Sequence, residues 1–387
     1  MHSSLRPRAA LAVILLILAA VSAALASTES VVYSFANPPD AFKPQCNLVA
    51  DTAGNMYGTT FSGGTTNLGA IFKIAATGTE SVVYSFAGGT DGSHPVAGLF
   101  RDAKTGNLYG TTVYGGATNN GTVFVFNPAT GIETVLYSFK GGATDGANPY
   151  SSVVKAGTSI FGTTFSGGQF GYGTVFKVTT GGKETILRHF NSAFPTLDGS
   201  HPYAGMILRK GILYGTTTLG GDQNLGTVFS ISKTGAYALL YSFKGGTDDG
   251  QNPYGGVVFD ASGNIFGTTY DGGINNAGTV YEIAVVGGET VLHHFGRNSG
   301  DGTNPYATLL RYKGNFYGTT VQGGSSNGGT VFKITPAGTE SLLHSMTGGS
   351  DGFNPYSVLL LGVDKAFYST TYVGGTSSLG TVFKVVP

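Results

Sequence analysis

Carboxylates, imidazoles and aromatic rings recur along this chain at fixed offsets, and each type offers a different chemistry. An acid opens the motif Asp-Gly-x-Asn/His-Pro at Asp91, Asp145, Asp198, Asp249, Asp301 and Asp351; the first copy, Asp40-Ala41-Phe42-Lys43-Pro44, is degenerate. A ring of such carboxylates would suit calcium or a polyol. The competing role is local, because Asp ahead of Gly bonds its own backbone in an Asx-turn. A ligand site needs one copy, whereas a structural turn is needed in every unit, so repetition favours the turn. Calcium also wants several oxygen ligands together, and one Asp per loop is thin.

The histidines offer less. His94 and His201 replace the Asn of that motif, while His189, His293, His294 and His344 fall on predicted outer strands. Zinc would need several on one face, and the adjacent pair His293–His294 would point to opposite faces of a strand. The sole cysteine, Cys46, excludes an intramolecular disulfide, and Pro44-Gln45-Cys46-Asn47 supplies no basic partner to activate the thiol. No Gly-x-Ser-x-Gly signature or phosphate-cradling loop is present. The expectation is no metal, no cofactor and no catalytic set.

Aromatic residues are the better binding candidates. Phe61, Phe165, Tyr270 and Tyr372 follow a Thr-Thr pair, and Tyr114, Phe170 and Tyr172 lie in loops. Exposed, they would stack on sugar rings; otherwise they cap packing between units. Departures from the repeat add Asp222 and Asp271, with Arg188 a further departure. The expected binding set is therefore Tyr114, Phe170, Tyr172, Asp222, Tyr270, Asp271 and Tyr372. The absence of Trp weakens a lectin reading and a quinone-cofactor reading.

The elements that must position these residues follow from a repeat. The aromatic-Gly-Thr-Thr signature begins at Tyr57, Tyr109, Phe161, Tyr214, Phe266 and Tyr317, and Tyr368-Ser369-Thr370-Thr371 is its seventh copy. Each copy is followed by a Gly-Gly pair and then a Gly-Thr-Val-Phe type run, giving a unit of about 52 residues. Within a unit, four short runs rich in β-branched and aromatic residues alternate with Gly, Asn, Asp and Pro. Gly329 to Ile334 and Glu340 to Met346 show no polar face, as expected of strands buried on both sides. The predicted fold is all-β: a seven-bladed β-propeller of four-stranded blades, about 28 strands in all.

Proline cannot donate to a ladder and belongs at a strand's first residue. The Pro of each Asp-Gly-x-Asn-Pro loop should thus open an inner strand, as in Tyr150 to Val154 or Gly255 to Phe259. The Glu-Ser-Val-Val-Tyr-Ser-Phe run is then outermost. Glu29 to Phe35 begins the chain as an unpartnered outer strand and Gly380 to Val385 ends it as a third strand, so pairing of the N-terminal and C-terminal strands should close the ring. Alternating strand directions place both long loops of every blade on one face, where a ligand is expected.

Residues 1–26 read as a signal peptide: basic Arg6 and Arg8, an apolar run from Ala9 to Ala20, and small residues at Ala24-Leu25-Ala26. An uncleaved anchor is the alternative, since Ala9 to Ala26 is nearly long enough to span a bilayer. Cleavage leaves residues 27–387 as the propeller, with 19 basic against 21 acidic side chains and a formal charge of −2. No net attraction to nucleic acid or anionic lipid follows.

The unit resembles the Gloeobacter–Verrucomicrobia (GloVer) tandem repeat of exported bacterial proteins, on Tyr109-Gly110-Thr111-Thr112, Gly115-Gly116 and Gly121-Thr122-Val123-Phe124. Pro253 to Phe266 is more loosely similar to NHL-type propeller blades. The resemblance implies export and a repeat fold, without an established activity. Family members often carry a C-terminal anchor or sorting tail, and a chain stopping at Val385-Val386-Pro387 implies a freely soluble product. The functional expectation is a secreted or periplasmic monomer, a noncatalytic propeller that binds a glycan or a cell-surface protein. A polysaccharide hydrolase or lyase with carboxylates from several blades is the alternative, and a structural envelope protein is a third.

Overall fold

The computed structural model describes residues 27–192, 198–286 and 288–387, and the signal segment lies outside them. Seven four-stranded antiparallel blades form the ring. In blade 3 the strands run outward as Val154–Ala156, Ser159–Thr164, Thr174–Thr179 and Glu184–His189. Blade 7 takes three strands from the C-terminus (Leu360–Leu361, Phe367–Thr371, Thr381–Val386) and its outermost, Thr28–Ser34, from the other end of the chain. Glu29 pairs with Val385 and Ser34 with Thr381, so the expected closure is present.

The aromatic-Gly-Thr-Thr signature has a packing cause at each position. Phe124, on the third strand of blade 2, lies directly over Gly110 of the second, where an added Cβ would meet its ring at 2.5 Å. Freed in this way, Phe124 reaches the preceding blade and meets Phe86 edge-on at 5.2 Å. The same contact recurs as Phe35–Phe72 at 5.1 Å, Phe139–Phe176 at 5.0 Å, Phe190–Phe229 at 5.4 Å and Phe295–Phe332 at 5.0 Å. Each such ring is fully buried, which makes these pairs the main apolar stabilisation between blades. The first Thr ties neighbours together: the Thr111 hydroxyl donates to the Ser151 carbonyl at 3.0 Å and that of Thr59 to Ala97 at 2.9 Å. The second Thr shares a hydrogen bond with the opening Thr of the third strand, as in Thr112–Thr122 at 2.8 Å.

Two expectations are corrected. Glu340–Ser345 is not buried on both faces, because Ser341 and Leu342 are exposed on the ring's outer wall. Only the two central strands of a blade, such as Thr330–Ile334, are sandwiched on both sides. The inner strands also start later than the prolines suggest, at Val154 and Val258. Asn148 and Asn252 take left-handed conformations, with φ of 53° and 55°, and turn the chain toward the axis before the inner strand's ladder begins. The residues after each Pro line the central channel.

The two long loops of each blade meet on one face, as expected. Gly146–Ala147, ahead of Pro149, pairs with Ser166–Gly167 of the loop after Thr-Thr, and Gly250–Gln251 pairs likewise with Asp271–Gly272. This loop face carries the aromatic residues. The opposite, turn face holds tight turns such as Asp260–Asn264, in which the Gly263 amide donates to the Asp260 carboxylate at 2.6 Å.

Candidate functional site

The repeated acids serve construction. Asp145 accepts hydrogen bonds from the Lys140 amide, the Gly146 amide and the Tyr137 hydroxyl, each at 2.7 Å. Asp249 repeats the set with Lys244, Gly250 and Tyr241. Each acid thus caps its own loop and anchors it to the outer strand. A glutamate of the next blade's outer strand faces the same spot: the Tyr241 hydroxyl lies 2.8 Å from Asp249 and 3.5 Å from Glu289. Burial, followed by repulsion from the neighbouring Asp, pushes Glu133 and Glu289 up to about 8 and Glu29, Glu80 and Glu184 up to about 7. Histidine stands for the tyrosine at two junctions, His293 facing Asp301 at 3.7 Å and His344 facing Asp351 at 3.2 Å, and a third junction replaces both partners. Between blades 3 and 4, Arg188 replaces the tyrosine and pairs with Asp198, and Tyr237 replaces the glutamate with its ring 4.4 Å from the guanidinium. The isolated departure Arg188 is therefore half of a compensated pair.

Cys46 is likewise structural: it is buried, its sulfur accepts the Thr59 amide at 3.0 Å, and burial pushes the thiol up to about 11. Among the described residues, no three His, Cys, Asp or Glu gather as metal ligands.

The loop face centres on a cluster that the sequence reading passed over. Tyr150, Tyr203, Tyr254, Tyr306 and Tyr356 each follow the loop proline of five successive blades and turn inward over the channel. Tyr150 stacks on Tyr203 at 5.0 Å, Tyr254 stacks on Tyr306 at 4.8 Å, and Tyr203 and Tyr356 meet Tyr306 edge-on at 5.5 and 5.0 Å. All five keep part of their surface exposed. The channel beneath them has a cavity volume of only about 60 Å³, room for a few waters. The rings therefore form a floor rather than the mouth of a deep pocket. Burial raises every one of these phenols, Tyr203 to about 12, so the floor is uncharged at physiological pH. The signal for it was Pro-Tyr in five copies, broken only at Pro44-Gln45 and Pro95-Val96.

The predicted residues sit around this floor. Tyr270 meets Tyr254 at 5.4 Å and Tyr372 meets Tyr356 at 5.8 Å, both edge-on, extending the floor outward. Burial, and then the nearby Asp271, raises Tyr254 and Tyr270, and the Asp271 carboxyl is itself raised by burial. The Asn304 side chain reaches it at 3.4 Å. Tyr114 is 37% exposed, with its edge against His94. Tyr172 meets His201 in the same way and shares a groove with Asp222, Gln223 and Asn224. Phe170 does not join them: it lines a separate groove with Arg188 and His189 toward the outer wall.

His94 and His201 occupy the left-handed position that other blades fill with Asn, at φ of 54° and 55°. The Asn side chains donate to the carbonyl after the preceding blade's Thr-Thr, as Asn252 does to Thr218 at 3.0 Å. The two histidines instead lie against Phe61 and Phe165, each at 4.7 Å. They extend the aromatic surface where the preceding blade supplies a Phe.

A ring of seven four-stranded blades around a closed channel defines a β-propeller. The chain belongs to the Gloeobacter/Verrucomicrobia repeat family, whose model matches residues 21–227 and 156–383. No protein of curated function matches it. Among solved structures it is similar to an oligogalacturonate lyase in complex with manganese, at 10% identity and a TM-score of 0.58, covering 92% of each chain. It is also similar to an oligogalacturonate lyase from Vibrio parahaemolyticus, at 9% identity and a TM-score of 0.57, covering 93% of each chain. At such identities the likeness is one of fold. Among the described residues no helix is long and apolar enough to cross a membrane.

Proposed function

We propose that the protein is an exported, noncatalytic propeller that holds a glycan on its loop face. The observation that carries this reading is the tyrosine floor: neutral, partly exposed rings from five blades in mutual contact over a closed channel. Sugar rings present apolar C–H faces that stack on aromatic planes and hydroxyls that need acceptors beside them. Tyr254, Tyr270 and Tyr306 supply the planes, and Asp271 with Asn304 supplies polar groups at the edge. A shallow floor of this breadth suits an extended chain better than a monosaccharide. A lyase or hydrolase acting on the same glycan is the second reading, favoured by Asp271, whose carboxyl is raised by burial beside the floor.

Binding to arrayed glycans and soluble polysaccharides tests the first reading, followed by titration of tyrosine fluorescence in a chain that has no Trp. Saturable binding that quenches the tyrosines is the expected result. Silence across the array would overturn it, and release of shorter products from the bound glycan would replace it with the second.

A further inference from the structure

The turn face is nearly uniform except at the seam where blade 7 meets blade 1. There a pocket of about 320 Å³ opens between Val32, Ala50, Met56, Leu360, Val363 and Tyr368, with Asp364 and Lys384 at its rim. That volume falls in the range of small-molecule sites, and it is several times that of the closed channel.

Strand register explains why it exists. The inner-strand residue paired with the one before the signature aromatic is Ala50 in blade 1. Its counterparts in the other blades are Arg101, Lys155, Leu208, Phe259, Arg311 and Leu361. In at least two blades this larger side chain lies over the preceding blade's signature aromatic. Phe259 meets Tyr214 at 4.8 Å, and the Lys155 ammonium sits 5.4 Å from the Tyr109 ring. Only at the seam is this residue an alanine, and there the ring of Tyr368 stays half-buried along the pocket wall with the Lys384 ammonium 5.8 Å from its centre. Val363 forms the outer wall, its methyl within 3.6 Å of where a Cβ on Gly54 would stand.

The rim is polar and asymmetric. Asp364 accepts the Tyr368 hydroxyl at 2.8 Å and pairs with the Lys384 ammonium, also at 2.8 Å. An ammonium has three donors, so Lys384 keeps donors for a second acceptor while Asp364 fixes its position. We infer that the seam pocket is a binding site for a small aromatic carboxylate. The ring would pack against Val32, Ala50, Met56, Leu360 and Tyr368, and the carboxylate would accept from Lys384. This site lies on the face opposite the tyrosine floor and does not depend on the glycan reading.

Titration calorimetry on the full chain with 4-hydroxybenzoate and 4-hydroxycinnamate, with 4-methylphenol as an uncharged control, tests it. The expected result is one saturable site for an acid, with the neutral phenol bound at least tenfold more weakly. Ala50→Leu restores the side chain that blades 4 and 7 carry, and should weaken binding at least tenfold while leaving the melting temperature equal or higher. Lys384→Met should remove the preference for the acid over the phenol. No binding by the parent protein, binding unchanged by Ala50→Leu, or equal binding of acid and phenol would each overturn the proposal.

Discussion

The two faces of the ring are made of the same repeat and reach opposite results. On the loop face, one residue repeated in five blades, the tyrosine after the loop proline, builds a continuous surface that no single blade could offer. On the turn face, six blades carry a large side chain at one register position and blade 1 carries Ala50, which lines the pocket at the seam. Repetition therefore makes a broad, shallow surface, and exception makes a compact cavity. A propeller can hold both because its stabilisation lies between the faces, in the buried Phe pairs at the blade junctions.

The largest effect that would break this picture comes from the seam itself. Deleting Glu29–Phe35 removes the outer strand of blade 7, and the loss of buried Phe35 alone is worth about 3–5 kcal/mol. A fall in melting temperature on the order of 10 °C or more is expected. An unchanged calorimetric melt would contradict strand closure and remove the basis for a seam pocket together.

A smaller effect concerns the glutamates between the faces. Their folded pKa lies above the unfolded value of about 4.5, up to about 7 or 8, so the native state holds more protons in that interval. Stability is then greatest below about pH 4.5 as far as these groups are concerned, and is lost as pH rises through 7 to 8. Asp351 acts in the opposite sense at lower pH, because its carboxyl is held below the ordinary value, chiefly by hydrogen bonds from Thr347 against the cost of burial. Melts between pH 5 and pH 8.5 should therefore fall with rising pH, by on the order of 5 °C, since partial exposure moderates each contribution. Glu133→Gln and Glu289→Gln together should flatten the profile. A melting temperature that rises over this interval would contradict the account of the junctions.

The sequence made the ring legible because a repeat reports the same environment seven times. Gly110 under Phe124 and the Thr111 tie to the next blade are demanded at every junction, so spacing alone revealed blade number, strand order and closure. The same logic read the repeated acids as turn builders, and Asp145 and Asp249 do accept hydrogen bonds from the amides of Gly146 and Gly250. It failed for Tyr150, Tyr203, Tyr254, Tyr306 and Tyr356, since residues repeated beside the loop motif looked like more construction. Their convergence on the axis is a property of the ring and of the left-handed Asn148 and Asn252 that aim the chain inward. Ala50 was invisible for a different reason. A missing side chain means something only once register shows what stands at that place in the other six blades.

Tyr270, Asp271, Tyr372 and Tyr114 were found from the sequence as departures or loop aromatics, and the structure sets them at the edge of the floor. Phe170 lies apart, because the glycine at position 171, with φ of 80°, reverses the chain between it and Tyr172.

The central claim is that the tyrosine floor holds the ligand, and the most direct measurement is polysaccharide retention by Tyr254→Ala/Tyr306→Ala protein whose melting curve remains cooperative. The account predicts at least a tenfold loss of glycan affinity, on the scale of about one binding hot spot, with binding of 4-hydroxybenzoate at the seam unchanged. Full glycan affinity in the folded double variant would contradict it.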